Sequence, residues 1–139
     1  MPQVPKTPRT QQFAGIYFQM AHALAPKMNA VTLTLGDFYD RQSALERANG
    51  FFEQVAKQSP QHRIAQLELA LNLDELEKLD EAKVWMEKLI KEDPDDLVTY
   101  LSFGAVLARH EKYAEASGVY ERAKKRIGTP QNFHWNLFY

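Results

Sequence analysis

A chain of 139 residues with 25% charged and 45% hydrophobic side chains, no cysteine and a formal net charge of −1 has the make-up of one folded domain or one repeat array. That make-up excludes a disulfide scaffold and thiolate metal sites, and no apolar run reaches the roughly 18 residues a membrane helix needs. The near-neutral total conceals a pattern, since residues 1–28 carry +3, 29–62 carry −1, 63–96 carry −6 and 97–139 carry +3.

Residues 1–9, MPQVPKTPR, combine three prolines with two positive charges and read as a disordered lead-in. From Thr10, a candidate N-cap, QQFAGIYFQMAHALA makes one helix that ends before Pro26. The rival reading is a signal peptide, with a basic start, an apolar middle and small residues at Ala21-His22-Ala23 or Ala23-Leu24-Ala25; Gln19 and His22 interrupt its apolar stretch. Helices are next predicted near 29–41 and 44–58, the second opened by a capping box, Ser43-Ala44-Leu45-Glu46. Ser59-Pro60 and Asp93-Pro94 each set a capping side chain before a proline suited to a first helical turn. Residues 97–128 read as two amphipathic helices around a tight turn at His110-Glu111-Lys112, with Lys124, Lys125 and Arg126 at the negative end of the last macrodipole. Beyond Pro130, Phe133, Trp135, Leu137, Phe138 and Tyr139 supply apolar material for the start of one more helix.

A step of 34 residues aligns the chain with itself. Ala116 falls on Ala82, Ala48 and Ala14; Tyr120 on Met86, Phe52 and Phe18; Ala123 on Leu89, Val55 and Ala21. Phe103 falls on Leu69 and Leu35, Gly104 on Ala70 and Gly36, and Leu107 on Leu73 and Tyr39. The breaks at Gly128, Pro94, Pro60 and Pro26 share one register, and helical periodicity alone does not produce so many agreeing columns. Asn49-Gly50 would be a hairpin turn read locally. The register overrules it, because a turn there would split the helix that carries Ala48, Phe52 and Val55. Gly50 then costs about 1 kcal/mol relative to Ala.

The marks Tyr100, Phe103, Gly104, Leu107, Tyr113, Ala116, Tyr120 and Ala123 resemble the tetratricopeptide repeat (TPR), a 34-residue helix–turn–helix unit. Gly128 stands where that motif usually has Pro, with Pro130 two residues later. The resemblance implies an all-α, TPR-type α-solenoid, a right-handed superhelix. In it, 10–28 is the second helix of a partial repeat, 29–62, 63–96 and 97–130 are repeats, and 131–139 starts a truncated one. On this reading the chain resembles an internal segment of a longer bacterial multi-repeat protein. The family's generic role is to hold other proteins. Its concave surface is lined by the first helix of each repeat. Here those are Ala30, Leu33, Thr34, Asp37, Asp40 and Arg41, then Ile64, Leu67, Glu68, Leu71, Asp74 and Glu75, then Val98, Leu101, Ser102, Ala105, Ala108 and Arg109.

Leu33, Leu67 and Leu101 share one column and predict an apolar stripe flanked by acids, a groove for an amphipathic partner segment with basic flanks. The bland alternative puts those leucines in the inter-helix core and leaves the acids solvated. The carboxylate clamp by which TPR co-chaperones hold heat-shock chaperones is not expected, because its places fall on Leu33, Asp37, Glu68, Val98 and Ser102, none of them cationic. Lone histidines (His22, His62, His110, His134), no Gly-rich loop and no nucleophile motif predict no metal, no cofactor and no catalysis. The basic run at 124–126 lacks interleaved aromatics, so nucleic acid is not expected either. The expected function is a non-catalytic interaction scaffold. An assembly module, self-associating through Phe133, Trp135, Leu137, Phe138 and Tyr139, and a regulatory segment of a larger protein are the alternatives. The compartment, cytoplasmic or periplasmic, stays open.

Overall fold

The computed structural model of the chain describes residues 8–128. Among them are seven helices and no strand: α1 (Pro8–Leu24), α2 (Asn29–Arg41), α3 (Leu45–Gln54), α4 (His62–Glu75), α5 (Leu79–Glu92), α6 (Leu97–Arg109) and α7 (Tyr113–Ile127). Contacts gather the chain into two compact units, 1–69 and 70–139, with the boundary inside α4.

In the first unit α2 pairs with α3, and α1 lies on α2. Thr32, Leu35, Gly36 and Tyr39 form a buried stripe on α2, at the i, i+3, i+4, i+7 spacing of one helix face. Ala48 and Phe52 answer it from α3, and both are fully buried. Gly36 permits the close approach: a Cβ there would stand 2.5 Å from the Phe52 ring. On α1, Phe18 meets Phe38 edge to face at 5.6 Å, and the Gln19 amide donates to the Tyr39 hydroxyl at 2.8 Å. Tyr39 also stacks on Phe51 at 5.6 Å, under the Arg47 guanidinium.

The second unit repeats the device with other residues. α6 pairs with α7, and α5 packs on α6. Phe103, Leu107, Ala116, Tyr120 and Ala123 are buried, and a Cβ on Gly104 would run into the Tyr120 ring. The Tyr100 hydroxyl donates to the Pro94 carbonyl at 2.8 Å, tying α6 to the turn before it.

The helix ends correct several expectations. α1 starts at Pro8, so Thr10 lies inside it and does not cap it. Ser43 does not cap α3: the cap position is Ala44, with no side-chain bond, and Ser43 itself adopts φ +60°. Glu77 and Glu111, one and two steps of 34 residues on, do the same, at φ +62° and +58°. Each follows a helix C-terminus with one bonding pattern. Ser43 N–H donates to Asp40 O and Ala44 N–H to Tyr39 O; Glu77 and Lys78 bond Asp74 and Leu73, and Glu111 and Lys112 bond Ala108 and Leu107. This is a Schellman stop, usually built on Gly and here built three times on larger residues. α3 ends at Gln54 rather than near 58. Pro60 and Pro94 sit in turns, not first helical turns, since α4 starts at His62 and α6 at Leu97. Asp96, not Asp93, caps α6, accepting from Val98 N–H at 3.2 Å. Asn49 and Gly50 lie within α3.

Candidate functional site

In the first unit the first-helix columns supply a short face of mixed character. Leu33 and Leu67 are half-buried and Ile64 is 56% exposed. Asp37, Asp40 and Glu68 are half-buried beside them, whereas Arg41 is exposed. The carboxyls of Asp40 and Glu68 share a hydrogen bond, which brings together two acids 28 positions apart in the chain. Burial pushes the Asp37 carboxyl above the usual range; Arg41 pulls it down and Asp40 pushes it further up. Burial likewise raises Asp40, against the lowering effects of the Glu68 hydrogen bond and of Arg41. Arg41 thus acts on both aspartates, and Asp40 is bonded to a second acid.

In the second unit the corresponding acid is already neutralised. The Asp74 side chain is 4% exposed, and its two oxygens take Arg109 Nη2 and His110 Nε2, each at 2.6 Å. The acid sits in the last turn of α4, at the negative end of that helix, where an unpaired carboxylate is disfavoured. Its two partners come from the end of α6. Asp74 is therefore neither solvated nor open, and Arg109 is held by it. Glu75 is exposed, Leu71, Leu101 and Ser102 are half-buried, and Ala105 is exposed. Stepping the triad back by 34 residues gives Asp40, Glu75 and Leu76, so the earlier copy has no equivalent cation in sequence. That difference escaped the sequence reading, because Arg109 and His110 lie 35 and 36 positions from Asp74.

Two open depressions accompany these faces. In the second unit one of about 780 Å³ is lined by Glu87, Lys88, Ile90, Lys91, Pro94, Tyr100, Arg122, Lys125 and Arg126. Its guanidiniums are engaged: Arg122 makes a two-pronged pair with Glu87 at 2.7 and 2.9 Å, and Arg126 bonds Asp95 at 2.9 Å. In the first unit one of about 540 Å³ lies along α1 and α2. No His, Cys, Asp and Glu grouping among the described residues is arranged to hold a metal ion, and no described helix is long and apolar enough to cross a membrane. The lead-in 1–7 and the expected self-association residues Phe133, Trp135, Leu137, Phe138 and Tyr139 lie outside the described residues.

Residues 41–105 match the tetratricopeptide repeat family. Together with the fold, this gives the chain the all-α architecture of a TPR-type helical-repeat solenoid, an architecture used by protein-interaction scaffolds. Similar solved structures share its fold. MamA of MSR-1 is 19% identical with a TM-score of 0.64, over 83% of this chain and 66% of that one. PilF of Pseudomonas aeruginosa is 20% identical with a TM-score of 0.68, over 94% and 59%. YrrB, described as a TPR protein with an unusual peptide-binding site, is 17% identical with a TM-score of 0.62, over 85% and 61%. The chain thus spans under two thirds of the length of each. Curated protein sequences yield no match.

Proposed function

We propose that this chain is a non-catalytic docking module that takes a basic side chain of an amphipathic partner segment on the first-helix face of residues 29–69. Leu33, Ile64 and Leu67 offer apolar contact, and Asp37, Asp40 and Glu68 receive the cation. One observation carries the reading: these acids are gathered and half-buried, with Asp37 and Asp40 held above the usual carboxylate range, whereas the equivalent acid one repeat later is neutralised internally by Arg109 and His110. The peptide-binding site described for YrrB, a TPR protein of similar fold, is consistent with this use. Such docking needs no metal and no cofactor.

Fluorescent amphipathic peptides that differ only in Lys or Glu at their flanks test the reading. The Lys version is expected to bind the intact chain more tightly. Its affinity should fall at least several-fold in Asp37→Asn/Asp40→Asn, and should weaken with added salt because the site is partly open to solvent. Equal affinity for both peptides, or binding that strengthens with salt, would refute it.

A further inference from the structure

The outer face of α1 is the most anomalous surface on the described chain. Phe13, Ile16, Tyr17, Met20 and Leu24 follow one another at helical spacing along it, and they are 52–84% exposed, with Met28 just beyond at 55%. Isolated exposed apolar side chains are ordinary; a continuous stripe of them is not.

The internal repeat shows what these positions do elsewhere. Phe13, Met20 and Leu24 fall in register with Arg47, Gln54 and Gln58, with Glu81, Lys88 and Glu92, and with Glu115, Arg122 and Arg126. At these three positions every other copy is polar, whereas Ile16 and Tyr17 fall on Gly50 and Phe51, on Val84 and Trp85, and on Gly118 and Val119. In α7 the three positions reach back to the preceding repeat: Glu115 meets Lys83 at 3.4 Å, Arg122 meets Glu87 at 2.7 Å, and Arg126 meets Asp95 at 2.9 Å. In that helix they stack on the upstream neighbour by ion pairs, while Arg47 lies over the Tyr39 ring and Lys88 over the Trp85 ring. In α1 the same face is hydrocarbon, and residues 10–24 contain no Asp, Glu, Lys or Arg.

We infer that this face is a homodimer interface, with α1 of one copy packed against α1 of a second about a two-fold axis. A charge-free stripe is self-complementary, because a two-fold contact sets apolar side chains on apolar side chains with no like charges facing. The depression of about 540 Å³ beside Ile16 and Met20, lined also by Gly15, Phe38, Tyr39 and the glutamines at 11, 12, 19 and 42, offers room for the other copy's Tyr17, whose hydroxyl those amides can bond. Two of the six exposed residues are aromatic, a type that can bury roughly 150–250 Å² each, and with the four aliphatic side chains beside them the stripe offers on the order of several hundred Å² per copy. With a polar rim added, that approaches the roughly 800 Å² per partner of a standard interface. A head-to-tail contact fits less well. The α7 positions equivalent to Lys83 and Glu87 are Ser117 and Glu121, a hydroxyl and a carboxylate, which would meet hydrocarbon.

The absence of cysteine makes the test clean. Light scattering of the intact chain at increasing concentration should rise to twice the 16.0 kDa monomer mass. Tyr17→Glu/Met20→Glu should return it to monomer with its helical circular dichroism retained. Val84→Glu, at the Ile16 position of α5 and 69% exposed, should leave the dimer intact. Should the doubly charged variant fail to fold, Met20→Cys decides: mild oxidation should give a covalent dimer, and Val84→Cys should not. A chain that stays monomeric at high concentration overturns the proposal, as does a dimer indifferent to the α1 charges or to Met20→Cys. So does a dimer lost only when residues 129–139 are removed, which would point to tail-mediated assembly. A monomer that binds phosphatidylcholine vesicles through α1 would reassign the face to lipid.

Discussion

Asp40 and Asp74 hold the same place in successive repeats, near the C-terminal end of a first helix, yet their surroundings are opposite. Asp74 is sealed and doubly bonded to Arg109 and His110, while Asp40 shares a hydrogen bond with another acid, Glu68, and stays half-buried. The helix pairs of the first and third repeats share one frame, in which a glycine on the first helix admits an aromatic ring from the second, Phe52 over Gly36 and Tyr120 over Gly104. In Asp74's own repeat Ala70 and Met86 hold those columns. One repeat architecture thus carries one acid paired with two basic side chains and one bonded to another acid. The helical frame is set by a few small-residue and aromatic columns, which leaves the charged positions free to differ.

The largest expected effect tests the shared frame. Gly36→Ala and Gly104→Ala each drive a methyl group into a buried ring and should cost about 3 kcal/mol in thermal or denaturant unfolding, the upper end for overpacking. Similar losses at both sites would show that the two hairpins are equivalent. A loss at one alone would break that equivalence. Next comes the difference itself. Asp74→Asn leaves Arg109 and His110 without their charged acceptor and should cost about 2 kcal/mol, less than a fully buried ion pair because both partners are partly exposed.

A smaller effect of opposite sign concerns the turns. Ser43, Glu77 and Glu111 sit in the left-handed region that glycine occupies without strain, so each substitution to Gly should raise stability by about 1 kcal/mol. Smallest is the response of the open acids. The folded-state pKa values of Asp37 and Asp40 are raised, so the folded chain holds these protons more tightly than the unfolded one. Stability from these groups therefore falls as pH rises through that raised range, and the cost is fully present at neutral pH. Asp37→Asn or Asp40→Asn should gain less than about 1 kcal/mol at neutral pH, with the gain vanishing in acid below the unfolded carboxylate range. A destabilised Asp40→Asn would mean that Asp40 is bound into the fold as firmly as Asp74.

Much of this frame was legible from the 34-residue step. The columns of Ala48, Ala82 and Ala116, of Gly36 and Gly104, and of Phe52 and Tyr120 all lie in the core, and Gly50 lies in a helix as the register demands. The helix ends were less legible. Ser43 and Glu46 have the spacing of a capping box, but that spacing does not reveal that α2 stops in a left-handed turn at Ser43 itself. No glycine marks that turn in any of its three copies. The acids were legible as a group and illegible as individuals. Whether an Asp is open or sealed depends on side chains about 35 positions away, as Arg109 and His110 are from Asp74, and local sequence does not encode which of them arrive.

The most direct test of the account is a map of amide NMR shifts in the intact chain during titration with the Lys-flanked amphipathic peptide. The largest changes should fall on Leu33, Asp37, Asp40, Leu67 and Glu68, leave Asp74 and Arg109 nearly unmoved, and fade in the Asp37→Asn/Asp40→Asn variant. Changes centred instead on Asp74 and Arg109, or on the basic depression around Lys88, Lys91 and Lys125, would contradict it.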